Sequence, residues 1–312
     1  MAQRDPHTNI LRATIAVFAA AAGGADAVAV LPFTAARGIP DRFARRIARN
    51  AQLVLADEAF LGKVADPGAG SGAIETLTDQ LCRAAWTLFQ DIETAGGAAA
   101  ALGAGLIQHQ VATVRAKRAA AVARRKDAVI GTSIFPNLHE TEPPIDGPLR
   151  PRAELNGKPL APIRLTRPFE ALRDVSDQVA KTRGTRPKIF LANLGTLAEF
   201  TARATFATNF FEAGGIEAVL GEGDAAALAS AFTVSGTSLA CLCSTDERYD
   251  KDAALAAITL KTAGAKYIYL AGRPGERESA LKSAGVQSFI YEGCDALATL
   301  TDAYDILGID VG

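Results

Sequence analysis

The chain has 312 residues, 49% of them hydrophobic, enough to bury a sizeable core and, at ordinary domain sizes, to form about two domains. Its 33 basic and 34 acidic side chains leave a formal net charge of -1, so no global field steers it towards nucleic acid or an anionic membrane. Aromatics are few and alanines abundant, which favours helices. The four cysteines, Cys82, Cys241, Cys243 and Cys294, lack the second pair a zinc site needs and read as reduced thiols of a cytoplasmic protein.

In chain order, the first expected element is a helix over residues 8–22, stopped by Gly23 and Gly24. The uncharged run at 13–25 imitates a secretory signal. It is alanine-rich, too short to span a bilayer, and preceded by Asp5, Pro6 and Asn9 instead of a basic leader, so it reads as part of the fold. The run DAVAVLPF at 26–33 has strand length, and Pro40 with Asp41 then opens a helix carrying Phe43, Ile47, Ala51 and Val54 on one face. Arg42, Arg45, Arg46 and Arg49 lie on or beside the other face, which reads as solvated.

A short strand at 62–65 leads through DPGAGSGAIE into a helix whose buried stripe is expected to be Leu77, Leu81, Ala84, Ala85, Leu88 and Ile92. Gly68, Gly70, Ser71 and Gly72 offer backbone amides of the kind that hold anions. No Lys-Ser or Lys-Thr follows them and no dinucleotide-type acid lies in a strand context, so the loop reads as a tight turn. A helix at 106–125 ends in Arg124, Arg125 and Lys126, suited to the negative end of its dipole. It also carries Arg115, Lys117 and Arg118, with no interleaved aromatics for single-stranded nucleic acid. DAVIGTSIFP at 127–136 is another expected strand, and the alternation implies a parallel α/β sheet.

Eight of the 14 prolines fall within residues 136–168, a composition typical of an extended linker. After a polar helix at 168–182, PKIFLAN reads as a strand buried on both faces. Asn193 to Thr196 make a turn, and Phe200, Ala204, Ala207 and Phe211 form the core stripe of the next helix. Further strands at 218–220, 238–243, 267–271 and 287–291 alternate with helices at 224–232, 251–263, 276–283 and 295–307. Five strands and five helices make a flavodoxin-like domain, in which ligands sit at the carboxyl ends of the strands.

The stretches DPHTNILRATIAVFAAAAGGADAVAVLPFTAA, IPDRFARRIARNAQLVLADE and KVADPGAGSGAIETLT resemble the last third of the acyl-CoA-binding (β/α)8 barrel of the methylmalonyl-CoA mutase family. The flavodoxin-like part resembles that family's cobalamin-binding domain, and the whole resembles the C-terminal part of its small, beta-type subunits. The resemblance implies an α/β chain with a partial TIM barrel segment at 1–135. A proline-rich linker and polar helix would fill 136–184, and a doubly wound, flavodoxin-like domain of cobalamin-binding type 185–312.

Departures from the family pattern bear on function. Catalytic members carry Asp-x-His-x-x-Gly after the first strand of the cobalamin domain, the His being the lower cobalt ligand. The corresponding window here is LGTLAEFTARA, and the chain's three histidines, His7, His109 and His139, all precede residue 185. Ala29 and Leu31 stand where catalytic members place a substrate-contacting His and Asn, and neither side chain can donate a hydrogen bond. Ser238, Leu239 and Gly272 resemble remnants of the family's cofactor pocket. The resemblance thus implies an isomerase subunit with no catalytic residue, metal ligand or bound cofactor of its own. Adenosylcobalamin would sit in a large catalytic partner of a heterodimer serving propionate metabolism. The alternatives are a free-standing flavodoxin-like ligand-binding module and an active mutase whose cobalt ligand comes from elsewhere.

Overall fold

A computed structural model describes residues 1–149 and 160–311. The chain forms two compact units, one of residues 1–119 and 141–164, the other of residues 120–140 and 165 onward. The part of the expected linker at 150–159 lies outside the described residues.

The first unit contains α1 (Thr8–Ala22), α2 (Arg42–Leu53), α3 (Gly72–Thr94), α4 (Ala98–Ala104) and most of α5 (Leu106–Ala123). Its small core is organised by Asn9. The buried amide donates to the carbonyls of Ala2 and Phe33, both at 2.8 Å, and accepts from the Ala2 amide at 2.9 Å, so an interior polar group is fully used. Phe33 stacks on His7 and meets Phe43 edge-on. Asp41 caps α2 by accepting from the Ala44 amide at 2.8 Å. A two-residue strand, β1 (Ile39–Pro40), pairs antiparallel with β2 (Ile145–Gly147). A side chain at Gly38 would run into the Gly147 carbonyl at 2.4 Å. The ion pairs Arg37–Glu142 and Arg45–Asp146 reinforce this pairing, so the early proline-rich stretch is held as structure.

Three expected strands do not form. Residues 26–32 are extended or bent without a ladder partner, 61–63 make a single tight helical turn, and 127–136 contribute one isolated bridge between Ile130 and Ile134. An apolar run becomes a strand only where another backbone offers its donors and acceptors, and among the described residues none does so here. The helix faces differ as well. On α2 the buried residues are Ala44 and Ala48, while Phe43 and Val54 are about half exposed, a rotation of one residue, about 100°, from expectation. On α3 nothing is buried, and the stripe expected to face a core is open, with Leu77, Leu81 and Leu88 at 56%, 62% and 51% exposure.

The second unit is the parallel α/β architecture expected from the alternation. Strands β3 (Lys188–Asn193), β4 (Glu217–Glu222), β5 (Leu239–Cys243), β6 (Tyr267–Ala271) and β7 (Ser288–Ile290) are all parallel, in the order β4-β3-β5-β6-β7. Helices α6 (Arg167–Arg183), α7 (Leu197–Ala213) and α11 (Ala296–Ile306) share the hydrophobic cluster on one face, built on Ile189, Leu191, Cys241 and Cys243. On the other face α8 (Ala225–Ser235), α9 (Ala254–Thr262) and α10 (Glu278–Ala284) share the cluster built on Phe190, Ala192, Ala240 and Leu242. Successive residues of one strand serve opposite faces, which is why β3 and β5 are apolar throughout.

Interior polar groups fix the periphery. Buried Arg173 of α6 donates to the carbonyls of Gly131 and Asn137, and Arg186 donates to that of Leu138. The Tyr304 hydroxyl lies 2.7 Å from the Gly214 carbonyl and 3.1 Å from that of Leu172, joining α11 to the end of α7 and to α6.

Candidate functional site

In an open parallel sheet, chain connections leave to opposite faces at one point, and the crevice there is the usual ligand site. In the second unit this point lies between β3 and β5. The Leu194 amide donates to the Cys243 carbonyl at 3.0 Å, and the buried Ser244 hydroxyl donates to the Leu194 carbonyl at 2.7 Å. The Ser244 amide donates to the Tyr249 hydroxyl at 2.8 Å, and that hydroxyl reaches the Leu242 and Ala271 carbonyls at 3.0 and 2.8 Å. The loops after β3, β5 and β6 are thereby laced around one buried phenol. Burial pushes the Tyr249 hydroxyl well above the ordinary phenol range, so it stays neutral and keeps its proton as a donor.

The entrance to α7 is closed by an acid. Glu199 Oε2 accepts from the Thr196 amide at 2.6 Å and from its hydroxyl at 2.8 Å. Those bonds, the backbone one first, hold the carboxyl below the usual carboxylate range. Gly195 makes the turn at φ +86°, and a Cβ there would lie 2.4 Å from Glu199 Oε2. A carboxylate over a helix N-terminus is electrostatically favourable and occupies the place where an incoming anion would otherwise be held. Behind it, Phe200, Phe210 and Phe211 are buried in the core.

Farther along the same sheet edge, Arg203 of α7 donates to Asp246 Oδ1 at 2.9 Å and stands over the Tyr249 ring. Arg277 donates to the same oxygen at 3.1 Å and pairs with Asp250. Burial works against Asp246 ionising, and the two guanidiniums outweigh it, holding the carboxyl below its ordinary range. A cavity of about 450 Å3 opens beside this cluster, at the carboxyl ends of β6 and β7. A second, of about 360 Å3, lies where Gly195, Gly223 and Arg248 meet.

Of the residues singled out from sequence, Gly272 lines the larger cavity. Ser238 and Leu239 stand at the amino end of β5, where Leu239 is in register with Tyr267, whereas Gly272 follows the carboxyl end of β6. Five residues of strand, about 16 Å, separate the two ends, so the three do not line one pocket. Ala29 and Leu31 are exposed. His7 stacks on Phe33 and His109 lies in α5. His139 is counted with the second unit but follows Leu138, whose carbonyl is held by Arg186 just ahead of β3; it is at the amino end of the sheet, away from the crevice. Among the described residues no group of three or more His, Cys, Asp or Glu side chains is placed to hold a metal ion. Cys241 and Cys243 are fully buried in β5, and burial pushes the Cys241 thiol well above its ordinary range, which makes it a packing residue and not a nucleophile.

Sequence reasoning passed over Ser244, Tyr249, Arg203 and Asp246. The available signal was the polar Ser-Thr-Asp run directly after the apolar LACLC strand, at the end of a parallel strand where functional side chains collect.

Residues 1–195 match the family model described as methylmalonyl-CoA mutase. The chain is 45% identical over 311 residues to the methylmalonyl-CoA mutase small subunit of Streptomyces virginiae, covering 99% of this chain and 49% of that protein. It is 38% identical over 315 residues to the small subunit from Propionibacterium freudenreichii subsp. shermanii, covering 98% and 48%. The methylmalonyl-CoA mutase of Escherichia coli is 36% identical over 142 residues, 46% of this chain and 20% of that one. The chain therefore spans about half the length of the small subunits it matches. With the family model matching well over half its residues, the chain belongs to the methylmalonyl-CoA mutase family.

Proposed function

We propose that this chain acts as a non-catalytic small-subunit component of a methylmalonyl-CoA mutase. It would stabilise and position a large subunit that binds adenosylcobalamin and interconverts methylmalonyl-CoA and succinyl-CoA in the cytoplasm. The observation that carries this reading is the tie between the loops after β3 and β5, with no imidazole beside it. The family pattern that the sequence resembles places an imidazole and an open slot there, and this chain has Glu199 folded onto Thr196 and a Ser244–Leu194 tie. No histidine occurs after His139, and buried Phe200, Phe210 and Phe211 fill the first helix of the domain. The residues present do not fit the cofactor.

In this reading residues 185–312 are the flavodoxin-like domain of cobalamin-binding type and residues 136–184 its linker and polar helix. Residues 1–135 are barrel-derived. A (β/α)8 barrel needs eight strand–helix units, so the open stripe of α3 and the unpaired run at 26–32 are surfaces that further barrel strands and helices would cover. No helix among the described residues is long and apolar enough to cross a membrane.

Two measurements test the proposal. The purified chain is mixed with adenosylcobalamin and passed through gel filtration, and the corrinoid absorbance is expected to elute apart from the protein. The chain is also co-expressed with a large subunit, and a stable one-to-one complex is expected. Co-elution of corrinoid with the chain alone would overturn the non-catalytic assignment, and failure to form the complex would overturn the subunit assignment in favour of a free-standing binding module.

A further inference from the structure

Helix α2 carries four arginines, Arg42, Arg45, Arg46 and Arg49, and no acid in its 12 residues. Arg45 is held by Asp146 and by the Pro40 carbonyl. Arg42, Arg46 and Arg49 form no ion pair among the described residues. Other surface helices pair their cations one turn along, Arg83 with Asp79 on α3 and Lys282 with Glu278 on α10. Arg46 instead lies over the Phe43 ring at 5.3 Å.

This charge pattern works against the helix that bears it. Arg42 and Arg45 lie in the first turn, at the positive end of the dipole, where Asp41 is the capping acid. Arg42 with Arg46, and Arg45 with Arg49, are like-charged neighbours at i and i+4. A row that weakens its own helix is explained by something outside it. Ala44 and Ala48 are the buried residues, so at about 100° per residue Arg42, Arg46, Arg49 and Leu53 form one outward row about 16 Å long. Phe43 and Val54 run beside it, half exposed.

The row sets the sign and the shape of what it meets. A helix packed along α2 at a shallow angle presents side chains at the same rises, so carboxylates at i, i+4 and i+7 would meet Arg42, Arg46 and Arg49. An extended anionic surface, nucleic acid or bilayer, fits less well, because Asp57 and Glu58 stand exposed just beyond the row and would be repelled. A second copy of the chain is disfavoured too, since α2 laid on α2 across a two-fold axis sets arginine against arginine.

We propose that α2 is the docking surface for an acidic helical row of the large subunit, with Arg42, Arg46 and Arg49 paired to its carboxylates and Phe43 and Leu53 packed between the two helices. This rests on the subunit reading above and adds the surface and the charge that favour a large subunit over a second copy of this chain.

The chain and its Arg42→Glu, Arg46→Glu, Arg49→Glu triple variant are each titrated by calorimetry with a purified large subunit. The triple variant is expected to bind at least roughly tenfold more weakly than the parent, and the corresponding triple glutamine variant to fall between them. Raising the salt from about 0.05 to 0.5 M is expected to weaken the parent roughly tenfold and the glutamine variant much less. Glutamate near a helix N-terminus is favoured by the dipole, so the glutamate variant alone is expected to melt no lower than the parent, which separates lost docking from lost folding. A large subunit that binds the parent and both variants equally, or binds the parent with no dependence on salt, overturns this docking surface and leaves the subunit reading standing. A parent chain that forms no complex overturns both.

Discussion

Ser244 Oγ donates a 2.7 Å hydrogen bond to the carbonyl oxygen of Leu194, tying the loop after β5 to the loop after β3 across the crevice where a doubly wound sheet would otherwise open. Ser244 is fully buried, so its hydroxyl has no water to fall back on. Ser244→Ala is expected to destabilise the chain by about 1 kcal/mol and to lower its melting temperature by roughly 2–4 °C. Calorimetry checks the size of the effect. A variant as stable as the parent would mean that the tie contributes nothing to closing the crevice.

Glu212 gives the second unit a pH-dependent element. Burial raises its carboxyl above the ordinary range, opposed by a hydrogen bond from the Ala218 amide. An acid whose pKa is raised on folding is bound to its proton more tightly in the folded state. It therefore favours folding at acid pH, and that contribution is lost as the pH rises through the folded-state pKa. Glu212→Gln keeps an acceptor for Ala218 and removes the titration. Relative to this variant, the parent is expected to lose stability between the usual carboxylate range and neutrality. Denaturation midpoints of the two proteins that run parallel across that interval would contradict the assignment.

How much of this was legible from the residues depended on whether a segment's partners lay within the chain. The stripe Phe200, Ala204, Ala207 and Phe211 was readable as the core face of α7 and is buried, because β3, β5 and β6 lie close enough in sequence to cover it. The equally periodic stripe of Leu77, Leu81 and Leu88 is exposed. Periodicity reports which face a helix would bury, never that something is there to bury it against. For the same reason the run at 26–33 carries strand composition and forms no strand. At the site, the missing histidine was legible by counting. The closure was not, since Ser244, Leu194, Tyr249 and Ala271 meet only through the order of strands in the sheet.

The open stripe of α3 leads to a solution property. Contiguous exposed apolar residues drive association, and on α3 Leu77, Leu81 and Leu88 form such a stripe. The chain alone is expected to self-associate with increasing concentration in sedimentation velocity, and Leu77→Glu with Leu81→Glu to shift it towards monomer. A parent protein that is monomeric at every concentration would show that the stripe is not a cohesive surface.

Limited proteolysis is expected to leave the second unit intact, and the structure moves the expected boundary. Phe169 and Leu172 of α6 are buried, and the Leu172 carbonyl meets the Tyr304 hydroxyl at 3.1 Å. The resistant fragment should therefore begin by about residue 165 and not at 185. Mass spectrometry of the digest decides between them. A stable core starting near 185 would mean that α6 detaches readily.

In the proposed reading residues 185–312 lack the cobalt-ligand histidine of a cobalamin-binding domain, and adding one is not expected to confer binding. Leu197→Asp with Glu199→His places an Asp-x-His pair at the start of α7. Leu197 is 69% exposed, so its replacement disturbs little. Glu199 is the acceptor for both the Thr196 amide and the Thr196 hydroxyl, and an imidazole cannot fold back to serve both at the helix N-terminus. The double variant should therefore melt at a lower temperature than the parent. The slot for a cofactor tail would still be filled, because Phe200 and Phe211 remain packed in the core at 4% and 0% exposure, and burial of each such ring stabilises by about 1.5–3 kcal/mol. Emptying the slot means undoing that burial, which one new cobalt–nitrogen contact at the rim does not offset. Spectral titration with adenosylcobalamin is expected to show no displacement of the lower ligand. A micromolar dissociation constant for the variant would reveal that the pocket had survived and that the imidazole alone was lost.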